Sequence, residues 1–185
     1  MIITISGDLG SGKSVVADAA AKKYHLKRYS AGDFVREMAK EKGISLLELN
    51  KMAEKDPSID KEIDERTKKL AEKEDNFVID SRIGFHFIPK AIKVHMKVDP
   101  AEAARRIINR KQAGEEDETE LEKTKQHVIE RKKSEQERYK KYYGIDVEDM
   151  SQYDIVFDTT HTKHQEGIDA ILDLVDKFIK EHNIQ

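Results

Sequence analysis

Apolar residues gather in five short runs, at 2–6, 26–29, 77–80, 91–98 and 153–158, separated by longer stretches with helical spacing. The first, Ile2-Ile3-Thr4-Ile5-Ser6, is almost continuously apolar and β-branched, the pattern of a strand covered on both faces. Such strands alternating with helices predict an α/β domain, a parallel sheet with helices on each side. Ligands of these sheets lie beyond the carboxyl ends of the strands, so the residues that follow each run are the candidates for chemistry. The last helical stretch, 165–182, repeats Ile168, Ile171, Leu172, Val175 and Phe178, which is ordinary packing.

Two segments read as insertions on this core. Residues 34–74 are helical: Ser45 caps a helix at 46–55, and Pro57 ends it before another begins at 59. The second starts at Arg110 and carries Gly114 and the run Glu115-Glu116-Asp117-Glu118. A long charged helix follows from about 120 to 143 and closes at Gly144. Its apolar positions are sparse (Leu121, Val128, Ile129), so much of it is expected to be solvated. There is no internal repeat and no Ser/Gly linker, and 185 residues suit one domain.

The sharpest chemical signal follows the first strand. Gly7-Asp8-Leu9-Gly10-Ser11-Gly12-Lys13-Ser14 is a complete G-x-x-x-x-G-K-[ST] loop, and Val15 leads into a helix. The glycines let the backbone turn tightly so that several N–H groups point at one anion. The helix start adds its own N–H groups and positive dipole end. Lys13 is expected to bridge the β- and γ-phosphates of ATP, and the Ser14 hydroxyl to ligate Mg²⁺.

Composition narrows the rest. Charged residues are 38% of the chain, yet the net charge is −3, which gives no support to bulk binding of nucleic acid or an anionic membrane. Aromatic content is 6% with no tryptophan, so little stacking surface is on offer. Without cysteine, disulfides and thiol chemistry are excluded, and the seven histidines have no metal-ligand spacing. No apolar run approaches a transmembrane span, and the start is too short for a signal h-region. A soluble, cytoplasmic protein acting on small molecules is expected, with a monomer favoured.

Phosphoryl transfer needs positive charge at both donor and acceptor phosphates, so arginines converging from several elements are the next thing to seek. Ser30-Ala31-Gly32-Asp33-Phe34-Val35-Arg36 resembles the S-x-G-D-x-x-R stretch of nucleoside monophosphate kinases. The resemblance implies that Arg36 grips the acceptor's phosphate and that Asp33 lies near the Mg²⁺–phosphate centre. On residue type alone, Ser30 and Asp33 are also helix caps and Arg36 a solvated helix face. After the third strand comes Asp80-Ser81-Arg82, with Ser81 where these kinases commonly have Gly, and the resemblance again places Arg82 on the acceptor phosphate. Phe85 and Phe87 are either core or a wall for the acceptor's base. Arg106 and Arg110 share a helix face that Arg105 does not, and the resemblance sets Arg110 at the start of a lid, about 110–130, reaching the ATP phosphates.

The block from Glu130 to Asp146, E-R-x-x-S-E-x-x-R-Y-x-x-Y-Y-G-I-D, closely resembles the archaeal-type cytidylate kinases. Arg131, Glu135 and Arg138 share one helix face, and the resemblance brings them to the acceptor nucleotide and the transferring phosphate; a solvated row of ion pairs is the other account. The likeness runs from Met1 to about Val175. It implies a three-layer P-loop kinase fold with a five-stranded parallel sheet ordered 2-3-1-4-5, an acceptor-binding insert and a lid. The implied reaction is phosphoryl transfer from ATP to CMP or dCMP. Another acceptor (AMP, UMP, shikimate, gluconate, dephospho-coenzyme A) and a nucleotide-dependent regulatory or assembly factor with slow ATPase activity are the alternatives.

Overall fold

The structure, a computed structural model, describes residues 1–109 and 121–184. Five strands, β1 (Ile2–Gly7), β2 (Lys27–Ser30), β3 (Phe77–Asp80), β4 (Ile92–Lys97) and β5 (Ile155–Asp158), form one sheet ordered β2-β3-β1-β4-β5. Every pairing is parallel, and both the order and the direction are those the resemblance implies. The central strand β1 is buried along its whole length, which explains its almost continuous apolar run. Its two hydroxyl residues are bonded across to β4, Thr4 donating to the Ile92 carbonyl at 3.5 Å and Ser6 to the Val94 carbonyl at 3.1 Å.

Helices α1 (Lys13–Tyr24) and α8 (His164–Glu181) cover one face, where Ile3, Ile5, Val94 and Met96 pack against Val16, Ala17, Ala20, Ile171 and Val175. The other face is closed by α4 (Pro57–Lys73), the short α5 (Gly84–Phe87) and α7 (Leu121–Tyr143). Between β2 and α4 lie α2 (Ala31–Lys42) and α3 (Leu46–Ala53). With α4 they share a small core of Met38, Ala39, Leu49, Ala53 and Ile59. Ser45 forms a capping box with Glu48, and Pro57 is the first residue of α4, after the cap Asp56, whose side chain accepts from Ser58 N. Gly144 ends α7 in the left-handed conformation, φ +70°, where glycine avoids the Cβ penalty.

Two expected strands shift. The run at 26–29 gives a strand one residue later, and the run at 153–158 pairs only from Ile155. Tyr153 is apolar enough to join that run, but its ring is spent against Phe85 (4.6 Å between centroids) and His95 (4.4 Å). The last helix before the undescribed segment is α6 (Pro100–Asn109). Of the expected lid, residues 110–120, with Arg110, lie outside the described residues, and 121–130 are the opening turns of α7.

The glycine that ends β1 has no substitute. Gly7 has φ +133°, and a Cβ there would lie 2.0 Å from the Met96 carbonyl oxygen and 2.7 Å from its nitrogen. Both are backbone atoms of the neighbouring strand, so nothing can swing aside. Gly7→Ala is expected to cost about 3 kcal/mol or more in urea unfolding. Gly43→Ala, also at positive φ but with nothing within 4 Å of its Cβ, should cost about 1 kcal/mol. Equal losses would show that the crowding at Gly7 is not what restricts it.

Candidate active site

The loop after β1 folds around one carbonyl. Asp8 O accepts from Ser11 N at 3.3 Å, from Ser11 Oγ at 2.8 Å and from Lys13 Nζ. Asp8 N donates to Met96 O at 2.9 Å, which ties the loop to β4. Gly12 caps α1 with φ +92°, and Val15 N and Val16 N turn back to its carbonyl. Gly10 approaches α6 so closely that a Cβ would meet the Ala103 Cα at 2.9 Å. Arg106 of α6 reaches the same loop: it donates to Thr159 Oγ1 at 2.9 Å and Thr159 O at 2.6 Å, and touches Gly10 O at 3.4 Å. Of the arginine pair on α6, Arg106 therefore braces the loop against the turn after β5, while Arg105 pairs with Glu102 at the surface.

Lys13 and Ser14 open α1 beside the end of β3. Ser14 Oγ donates to Asp80 Oδ2 at 2.7 Å, and Arg28 Nη2 donates to the same oxygen at 3.1 Å. Asp80 is 6% exposed. A hydroxyl and a buried carboxylate side by side fit Mg²⁺, which takes one or two carboxylates and completes its shell with phosphate and water oxygens. No group of three or more His, Cys, Asp or Glu among the described residues is placed to hold a metal alone. Asp33, the carboxylate singled out from the sequence, is more exposed and pairs with Arg36 at 2.6 Å and Arg28 at 3.8 Å on the neighbouring wall. Burial and the adjacent Arg82 charge lower Lys13 well below the usual lysine range.

The opposite wall comes from the turn after β3 and from α7. Arg82 donates to the Gly7 carbonyl and pairs through Nε with Glu135 Oε2 at 2.7 Å. Arg131 Nε takes the other oxygen, Oε1, at 3.0 Å. Arg138 Nε pairs with Asp60 Oδ2 of α4 at 2.8 Å, and its Nη1 donates to Ser134 Oγ at 2.8 Å. Burial alone would raise the Glu135 carboxyl, but Arg82, Arg131 and Arg138 outweigh it and hold it at about 2. Lys13, Arg36, Arg82, Arg131 and Arg138 all line one cleft of about 980 Å³, with Gly10, Gly12, Ser14 and Asp80 at the loop end. That single cleft is why the solvated-row account of α7 fails: its charged face turns inward.

Several residues of the cleft were not singled out. Arg28 sits on an edge strand with no local signal. Asp60 and Asp64 are buried acids four apart on α4, on the face that carries Ile59 and Ile63, and that helical spacing is visible in the sequence itself. Asp64 accepts from the Tyr143 hydroxyl. Phe85 is core at 4% exposure, as the core reading expects, whereas Phe87 is only partly buried and packs edge-on to Tyr143. No helix among the described residues is long and apolar enough to cross a membrane.

A glycine cradle at the carboxyl end of a parallel 2-3-1-4-5 sheet defines a P-loop kinase fold. Solved structures agree on the fold. A shikimate kinase from Bacteroides thetaiotaomicron superposes with a TM-score of 0.66 at 16% identity, over 97% of this chain and 98% of that one. An uncharacterized protein from Eubacterium ventriosum gives 0.69 at 21%, with the same coverage. Closer in sequence are a cytidylate kinase of Methanosarcina acetivorans, 39% identical over 97% of this chain and 98% of its own, and one of Sulfurisphaera tokodaii, 39% identical over 100% and 99%. The profile of the cytidylate kinase-like family matches residues 2–161, and the chain belongs to that family.

The cleft predicts a pH signature. Burial raises Asp64 to about 7, against the opposing pull of its Tyr143 hydrogen bond. The folded state then keeps a proton that the unfolded chain releases near pH 4, so stability should fall as pH rises from about 4 to 7. Asp64→Asn should flatten that decline by up to about 1.4 kcal/mol per pH unit in urea titrations. Parallel profiles for the two proteins would mean that Asp64 titrates normally.

Proposed function

We propose that this protein transfers the γ-phosphoryl group of ATP to CMP or dCMP, giving ADP and CDP or dCDP. The observation that carries the proposal is the shared cleft, with the phosphate cradle at one end and Arg36, Arg82, Arg131 and Arg138 facing it. A switch or assembly factor has no second anion to grip and no use for that wall. Relatives named cytidylate kinase, aligned over nearly the whole chain, support the nucleotide acceptor.

The triphosphate lies along the loop from Gly7 to Val15, with Lys13 on its β- and γ-oxygens. Mg²⁺ bound with ATP supplies charge neutralisation at those oxygens; Ser14 and Asp80 are the groups suited to hold it, with Asp33 nearby on the wall. The four arginines hold the acceptor phosphate in line, and Glu135 fixes the guanidiniums of Arg82 and Arg131 in that posture. The acceptor is already an anion, so no strong general base is needed and catalysis is positioning with electrostatics. Asp60, on the insert side and paired with Arg138, offers carboxylate oxygens, which suit a base with an exocyclic amino donor and disfavour uracil's carbonyl at the same place.

A coupled ADP-release assay over a panel of monophosphates and small alcohols tests this. CMP and dCMP should stimulate turnover most and UMP about tenfold less. Lys13→Ala should lower kcat about a hundredfold or more with circular dichroism unchanged. Stimulation by shikimate or gluconate alone would move the acceptor class. Stimulation by a protein or RNA alone would remove the kinase.

A further inference from the structure

The phosphate cradle contains an acid. Asp8, the second residue of the loop, points its carboxylate away from solvent (side chain 11% exposed) within a loop built to attract a polyanion. Left alone, that charge would repel the ligand the loop is made for. It is not left alone. Asp8 Oδ2 accepts from Val98 N at 3.1 Å, and Oδ1 pairs with Lys132 Nζ of α7 at 2.8 Å. Lys132 Nζ also reaches Glu148 Oε1, on the loop after α7, at 3.1 Å.

Lys132 adjoins Arg131 and lies one turn before Glu135, so the pair joins the donor loop to the helix that carries the acceptor-side charges. A second bridge runs beside it, from the Gly7 carbonyl through Arg82 to Glu135. Two adjacent loop residues are thus tied to α7, one through its backbone and one through its side chain. Asp8, Lys132, Glu135 and Arg82 also share a small cavity of about 30 Å³ behind the loop.

We propose that Lys132 is a positioning residue that cancels the Asp8 charge inside the cradle and holds α7 at a fixed distance from it. The proposal rests on the cradle being the ATP site. A plain surface ion pair would contribute a little stability and leave ligand binding alone. A compensating cation has a different signature, because removing it exposes the triphosphate to an unscreened carboxylate, and removing the carboxylate as well relieves the fault.

The test is ATP affinity, measured by calorimetric titration with Mg²⁺ in 50 mM and 300 mM salt, on the full chain, with melting temperature as the fold check. Lys132→Met should weaken ATP about tenfold at low salt and less at high salt. Lys132→Arg should keep affinity within about twofold of the original. The double variant Asp8→Asn with Lys132→Met should recover most of the loss. Should Lys132→Met lose its fold, Lys132→Gln, which removes the charge but keeps a polar end on a shorter stem, carries the same expectations. Unchanged affinity in the single variant overturns the proposal, as does a double variant no better than the single one. Failure of the unsubstituted protein to bind ATP overturns instead the ATP site on which it rests.

Discussion

Glu135 is the residue on which the cleft depends. Two guanidiniums, Arg82 and Arg131, take one oxygen each of its carboxylate, at 2.7 and 3.0 Å. Without a buried anion between them, cations from the turn after β3 and from α7 would repel one another and splay toward water. With it, they are held where two further anions can meet them. The arrangement costs the carboxylate its hydration, and the arginines more than repay that, which is why Glu135 stays ionised far below the ordinary range.

The same device recurs around the cleft. Asp80 takes Arg28 and the Ser14 hydroxyl, Asp60 takes Arg138, Asp33 takes Arg36, and Asp8 takes Lys132. Apart from Lys13, whose Nζ donates to the Asp8 carbonyl, each of these cations has a carboxylate of the protein as its partner in the structure. The acids hold the bases apart and in register, and they join elements distant in sequence: α1 to β3, α4 to α7, and the donor loop to α7. Positioning and electrostatic stabilisation therefore come from one network rather than from separate parts. A net charge of −3 on a chain with 38% charged residues is the compositional trace of that interleaving.

What was legible in the sequence was local. The loop from Gly7 to Ser14 is eight consecutive residues whose backbone tasks follow from their identities, and the sheet followed from runs of buried-type strands. The shared face of Arg131, Glu135 and Arg138 was legible from helical spacing, although spacing could not say whether that face turned inward or to water. The partners were not legible. Ser14 and Asp80 are 66 residues apart, and Arg138 and Asp60 are 78 apart. Which carboxylate meets which cation is decided by how α4 and α7 pack over the sheet, and no local pattern encodes that. Asp33 drew attention because it sits in a recognisable motif, whereas Asp80, at the end of a four-residue strand, is the carboxylate in contact with Ser14. Tyr153 misled for a related reason: an aromatic beside a strand looks like strand until a neighbouring ring claims it.

In the proposed reaction one cleft holds two anions at a fixed separation. A dinucleotide in which adenosine and cytidine are joined by a chain of five phosphates would span both ends at once. Calorimetric titration should give it a Kd at least about a hundredfold tighter than that of ATP, since the second contact becomes intramolecular. A linked ligand that binds no more tightly than ATP would contradict the account, because the arginine wall would then not be facing the cradle.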